Sequence, residues 1–96
     1  MNHIILLKYT DQGIKNIKES PNRVKKAKEL FHKLGAEVKD FYFLMGQYDL
    51  LFIVQASNDT VIAECVLALG SLGNVRSETL LAFNESEFSK ICSDLP

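Results

Sequence analysis

The chain has 96 residues, of which 47% are hydrophobic and 24% are charged, and its formal net charge is −1. This length suits one domain with a modest core, and this composition is typical of a soluble globular protein. The longest apolar runs, such as LLFIV and FYFLM, are far too short to span a bilayer, so no membrane association is expected. We therefore expect residues 1–96 to form a single domain.

Nucleic acid is not an expected partner, although nine of the eleven Lys and Arg residues lie between Lys8 and Lys39. Four acids interrupt this basic stretch, a fifth, Asp40, follows it directly, and no aromatic residue alternates with it, which is typical of a solvated helix face. The N-terminus lacks the pattern of a signal peptide. Cys65 and Cys92 lie in helix-like stretches with no partner spacing, which predicts reduced thiols and a cytoplasmic protein.

The first half of the chain predicts two strands around one helix. Residues 3–9 form a β-rich apolar run, and residues 13–18 have the spacing of a helical turn. Ser20 is the expected N-cap of a long helix with Pro21 in its first turn, and Gly35 is expected to end it. The next strand is predicted at residues 36–45.

The second half repeats this order. Gly46-Gln47 is predicted to form a type II′ turn, which leads into a strand at residues 48–56. Asn58 or Asp59 is expected to cap a helix that ends in the segment GSLG. A fourth strand follows at residues 75–83, and Asn84 with Glu87 predicts a capping box for a short C-terminal helix.

This order of elements predicts an α+β, ferredoxin-like βαββαβ fold with one additional C-terminal helix. Right-handed crossovers place the strands in an antiparallel 4-1-3-2 sheet, with both long helices on one face. The opposite face is also apolar, because the first and third strands carry hydrophobic residues at both parities: Ile4, Leu6, Leu51 and Ile53 against Ile5, Leu7, Leu50, Phe52 and Val54. The helices leave this opposite face, the open face, uncovered, so a homodimer that packs two open faces together is predicted.

Four charged residues are expected to converge at one end of the open face: Lys8, Asp49, Arg76 and Glu78. The neighbouring loops add Tyr9, Thr10 and Tyr48 as candidate rim groups. This cluster could bind a small polar or anionic ligand. Alternatively, its charges form salt bridges across the dimer interface, and charges near an interface are usually paired for that reason.

No pattern for a metal, a cofactor or a nucleophilic catalyst is present in the sequence, so none is expected. His32 lies off the apolar stripe of its helix and is expected in solvent, while His3 is only a weak ligand candidate. The residues alone therefore predict no reaction.

Three segments, KYTDQGIKNIKESPNR, GQYDLLFIV and ALGSLGNVRSETLLAF, together resemble the GYD-domain family over nearly the whole chain. This resemblance implies a dimeric α+β barrel, in which two ferredoxin-like sheets face each other. The stretch from GQYD through the fourth strand is also similar to the effector-binding domain of leucine-responsive and asparagine-type transcription regulators, which bind amino acids at subunit interfaces. This sequence contains no helix-turn-helix domain, unlike those regulators.

These observations predict a non-catalytic small-molecule-binding or accessory module, with a polar site at the interface of a homodimer or a higher oligomer. The alternative is a cofactor-free enzyme, similar to the monooxygenases or isomerases of the same superfamily, that uses the cavity between the two sheets.

Overall fold

The computed structural model describes residues 2–96, which form one four-stranded sheet with its helices. In chain order the elements are β1 (Asn2–Tyr9), α1 (Asp11–Lys15), a 3₁₀ turn (Ile17–Glu19), α2 (Ser20–Leu34), β2 (Ala36–Phe43), β3 (Leu50–Ala56), α3 (Asp59–Ser71), β4 (Val75–Ala82) and α4 (Glu85–Ser93). The sheet order is β2-β3-β1-β4 and every neighbouring pair is antiparallel. The ferredoxin-like fold and the 4-1-3-2 order are thus confirmed. Over the same residues, no helix has both the length and the apolar character needed to cross a membrane.

The core lies between the sheet and the pair α2 and α3. On the inner face, Ile5, Phe52 and Val54 are at most 1% exposed, and Phe31 of α2 packs edge-on against Phe52 with ring centroids 5.7 Å apart. The apolar residues of opposite parity, Ile4 and Leu6 on β1 and Leu51 and Ile53 on β3, are half-buried and lie on the outer face, away from these helices. The predicted alternation of the two strands is therefore confirmed.

Most of the predicted helix ends are also present. The side chain of Asn58 accepts a hydrogen bond from the amide of Val61, and Asn84 and Glu87 form the predicted capping box. Gly35 follows α2 with φ of 101°, a left-handed conformation that glycine adopts without the cost of a β-carbon. These contacts are local in sequence, so they could be read from residue spacing alone.

The prediction that Ser20 caps α2 was wrong. Glu19 occupies the N-cap position, and Ser20 is the first residue of the helix, with its amide donating to the carbonyl of Ile17. The chain enters α2 from the 3₁₀ turn and not from an extended segment, so the turn satisfies this amide. The Ser20 hydroxyl is instead 2.6 Å from the Tyr9 hydroxyl, which ties the start of α2 to the end of β1.

The prediction of a type II′ turn at Gly46-Gln47 was also wrong, although the strand register that this turn implied is present. Phe43 pairs with Leu50 and Tyr42 with Leu51, as expected. However, β2 ends at Phe43 and β3 begins at Leu50, so a six-residue connection, residues 44–49, replaces the two-residue loop. Gly46 does not have positive φ, which a type II′ turn requires at that position.

A different glycine is constrained by its surroundings. Gly13 is buried in α1, where an added β-carbon would lie 2.0 Å from the carbonyl oxygen of Asn74. That oxygen already accepts the amide of Thr10 at 3.0 Å, so it has a reason to stay in place. A β-carbon added at Gly46, by contrast, would have no heavy atom within 4 Å.

We expect Gly13→Ala to lower the free energy of unfolding by about 1–3 kcal/mol, the usual cost of overpacking. Gly46→Ala is the matched control and should change it by no more than about 0.5 kcal/mol. Urea unfolding followed by circular dichroism measures both. Equal stability of the two variants would show that α1 does not pack against the loop before β4 in this way.

Candidate functional site

The sheet register places three of the four predicted charges at one end of the outer face. Lys8 of β1 lies opposite Arg76 of β4, and Leu6 lies opposite Glu78. Lys8, Arg76 and Glu78 therefore share a face, and they sit at the end where β1 finishes and β4 begins. The side chains of all three are exposed in a single copy of the chain.

Tyr48 joins two of these charges. Its hydroxyl donates a hydrogen bond to the carboxylate of Glu78, and the ammonium of Lys8 lies 5.4 Å from the centre of its ring. The second contact has the geometry of a cation–π interaction. The β2–β3 connection thus places the ring of Tyr48 across the end of β1, where its hydroxyl contacts β4. We refer to Lys8, Tyr48 and Glu78 as the Tyr48 cluster.

The hydrogen bond to Glu78 raises the pKa of Tyr48 above its ordinary value of 10.0, and desolvation and the negative charge of Glu78 act in the same direction. All three causes disfavour the ionised phenolate. Ionisation would remove the proton that is donated to Glu78, place a second negative charge beside that carboxylate, and charge a partly desolvated group. Because the pKa of Tyr48 is raised in the folded state, the contribution of its contact with Glu78 to folding stability is fully present below pH 10. This contribution is lost as the pH rises through the raised pKa.

Asp49 has a structural role at the entrance of β3. Its carboxylate oxygen Oδ2 accepts the backbone amide of Tyr9 at 2.9 Å, and its own amide donates to the carbonyl of Leu7 at 2.8 Å. The acid before this apolar strand thus satisfies a main-chain donor at the end of β1. Within residues 2–96 of a single copy, neither Asp49 nor Lys8 belongs to an ion pair.

The side chains of Tyr9 and Thr10 lie away from the Tyr48 cluster. The Tyr9 hydroxyl reaches Ser20 on the inner face. The Thr10 hydroxyl donates to the carbonyl of Gly73 at 2.6 Å and accepts the amide of Gly13 at 3.1 Å, which caps α1. The structure therefore brings together Lys8, Tyr48 and Glu78 with Arg76 beside them, and it separates Tyr9 and Thr10 from that group. The ligand-binding role of these residues stays a prediction.

Sequence reasoning missed the partner of His3. This side chain is 3% exposed on the inner face, and its Nε2 lies 3.1 Å from the carboxylate of Asp59 at the start of α3. The signal was available, because His3 has the same parity as the core residues of β1, but its partner is 56 positions away in the sequence. His32 is exposed, as predicted.

The GYD domain family model matches residues 3–92 of the chain. A protein of Thermus thermophilus that is named "Glutamine synthetase and cystathionine beta-lyase binding protein" is 34% identical over 80 residues, which cover 82% of this chain and 84% of that protein.

Solved structures share the fold. The crystal structure of TTHA0845 from Thermus thermophilus aligns with a TM-score of 0.56 and 28% identity, covering 86% of this chain and 92% of the other. The leucine response regulatory protein of Mycobacterium tuberculosis aligns with a TM-score of 0.65 and 14% identity over 86% of this chain, which spans about half the length of that regulator.

The Tyr48 cluster makes a prediction about alkaline pH. We expect Glu78→Gln to lower the pKa of Tyr48 towards its ordinary value, because the substitution replaces the carboxylate that accepts the hydrogen bond of the hydroxyl and also removes its negative charge. Ultraviolet absorbance titration of tyrosinate measures this change. Tyr48→Phe is the control, since subtracting its curve isolates Tyr48 from the other two tyrosines of the chain. Identical midpoints in wild type and Glu78→Gln would contradict the hydrogen bond.

Proposed function

Because this chain belongs to the GYD domain family, we propose that it is a homodimeric accessory protein that binds a metabolic enzyme and carries a polar ligand site at its dimer interface. The observation that carries this proposal is the apolar outer face of the sheet. Ile4, Leu6, Leu51 and Ile53 form its centre, and Tyr42 and Leu80 beside them are 54% and 41% exposed in one copy.

A second copy is the simplest cover for this face. The helices α2 and α3 pack on the inner face, so they leave the outer residues uncovered. Contact between water and a contiguous apolar patch is unfavourable. In a two-fold dimer the same patch of each subunit packs against that of the other, so both are removed from water. The family resemblance to dimeric α+β barrels supports the same arrangement.

The polar end of this face supports the ligand site. Lys8 and Arg76 have no carboxylate within ion-pairing distance among the described residues of one copy, although Glu78 lies on the same face. Two cations beside a phenol, at the edge of an otherwise apolar interface, suit a small anion. The carboxylates of the second copy are the competing partners, and they would give the interfacial salt bridges instead.

The enzyme-binding role rests on the named relative, whose similarity extends over most of both chains. A surface for such a partner also remains outside the sheet. On α4, Phe88 and Ile91 lie about one turn apart and are 61% and 42% exposed, and Leu95 just beyond the helix is 64% exposed. Apolar side chains on one side of a capped, amphipathic helix are typical of a helix that packs against another protein.

The dimer predicts the effect of a charge on the outer face. We expect Leu51→Glu to convert the protein to a monomer, because a carboxylate buried without a partner costs several kcal/mol. Sedimentation velocity at micromolar concentration measures the change, and circular dichroism verifies that the variant is folded. The control is Ala63→Glu, which places the same charge on the exposed side of α3. A wild-type protein that sediments as a monomer would sink the proposal.

The accessory role predicts a complex with an enzyme. We expect the wild-type protein to bind the glutamine synthetase or the cystathionine beta-lyase of its own host in biolayer interferometry. The double variant Phe88→Ser/Ile91→Ser should weaken this binding at least about tenfold, in line with the loss of two apolar anchors, while the dimer persists. Ser86→Ala, on the exposed first turn of the same helix, is the control. Absence of any complex with either enzyme would reject the enzyme-binding role and leave the ligand site to be tested by native mass spectrometry.

A further inference from the structure

The inner side of the sheet contains a cavity that the proposed function does not use. It has a volume of about 460 Å³ and lies between α2 and α3, at the end of the sheet where β1 finishes. This size falls within the range of about 300–1,000 Å³ that is usual for small-molecule sites. The core residues Leu7, Leu50 and Phe52 form its floor.

The side walls of the cavity are apolar as well. Val24 and Ala27 line it from α2, Leu69 lines it from α3, and Leu72 lines it from the position just after α3. Leu72 is 61% exposed, although it directly follows α3 and borders the core. Filling the space beside such an apolar side chain with a second apolar group removes its surface from water, and this lowers the free energy.

A hydrogen bond keeps this space open. The hydroxyls of Tyr9 and Ser20 are 2.6 Å apart, and both residues line the cavity. Ser20 is 6% exposed, so its hydroxyl is withdrawn from water and depends on Tyr9 for a partner. The bond holds the first turn of α2 above the end of β1, and the small side chain of Ala27 farther along the helix does not fill the gap below. The cavity is therefore preformed.

The charges around the cavity have one sign. Arg23 and Lys26 of α2 line it, whereas no acidic residue does. The guanidinium of Arg23 is fixed by the carbonyls of Asn16 and Gly13, at 2.9 and 3.1 Å, and these neutral acceptors leave its positive charge uncompensated. Neither cation is in an ion pair with another residue of the described chain, 2–96.

We propose that this cavity binds a small amphipathic anion, with a linear apolar tail on the floor of Leu7, Leu50 and Phe52 and a single carboxylate at Lys26 and Arg23. The apolar volume selects the tail and the two cations select the carboxylate. This site is on the face opposite the proposed dimer interface, and it does not depend on the proposed function.

Isothermal titration calorimetry with hexanoate, octanoate and decanoate tests the proposal on the wild-type protein. Each methylene that enters an apolar cavity raises affinity about fourfold, so two methylenes should raise it about fifteenfold until the cavity is full. The alcohol of the same length as the best carboxylate should bind at least about fivefold more weakly, because it lacks the charge that Lys26 and Arg23 attract. No binding of any of the three carboxylates at millimolar concentration overturns the proposal.

Two variants place the ligand in this cavity. Lys26→Met should reduce the affinity for the carboxylate about fivefold or more and leave that of the alcohol unchanged. Leu72→Glu brings a negative charge to an exposed position at the rim, so the fold should persist while carboxylate binding is lost. Lys33→Met, on the exposed side of the same helix as Lys26, is the control for a lost charge.

If Lys26→Met and Leu72→Glu bind octanoate as the wild type does, the anion binds elsewhere and the proposal is wrong. It is equally wrong if the wild type binds no carboxylate and Leu72→Glu instead changes the sedimentation coefficient, because a second copy of the chain then occupies the cavity.

Discussion

The carboxylate of Asp49 accepts the backbone amide of Tyr9, and this one bond organises both faces of the sheet at the end of β1. β1 has finished its pairing with β3 at Leu7, so the amide of Tyr9 needs an acceptor that the ladder does not supply. With Asp49 fixed, the preceding Tyr48 is held over the outer face, where it meets Lys8 and Glu78. An acid therefore stands at the entrance of an apolar strand because a main-chain donor requires it.

The same bond acts on the inner face through Tyr9 itself. Alternation along β1 directs Lys8 outward and Tyr9 inward, towards the start of α2. There the Tyr9 hydroxyl supports Ser20, and the height of this first helical turn determines how much space remains above Leu7 and Leu50. The Tyr48 cluster and the inner cavity are thus positioned by consecutive residues of a single strand end.

Sequence reasoning succeeded where periodicity or a short spacing determines a feature. It failed where the outcome depends on a particular distant partner, as at Ser20, or on the path of a connection, as at Gly46-Gln47. The strand order, the register of Phe43 with Leu50, and the caps at Asn58 and Asn84 follow from periodicity and short spacings. The role of Ser20 depends on Tyr9, and that of Thr10 depends on Gly73, which is 63 positions away. Serine before proline is typical of a cap, but a tertiary partner overrode this preference. Lys8 and Glu78 were correctly assigned to one face because parity needs no knowledge of partners, whereas the contact of Tyr48 with both depends on the six-residue connection.

The alternation of β3 separates the two proposed surfaces. Leu50 and Phe52 form the floor of the inner cavity, whereas Leu51 and Ile53 between them belong to the outer face. Adjacent side chains of a strand project to opposite sides, so a substitution at Leu51 disturbs the outer face without entering the cavity. The cost of this arrangement is a strict register, because a slip of one residue would exchange the two faces. The hydrogen bonds of Asp49 to Leu7 and Tyr9 oppose such a slip at the point where β3 begins. The bond that positions the Tyr48 cluster and the inner cavity therefore also keeps them on opposite faces of the sheet.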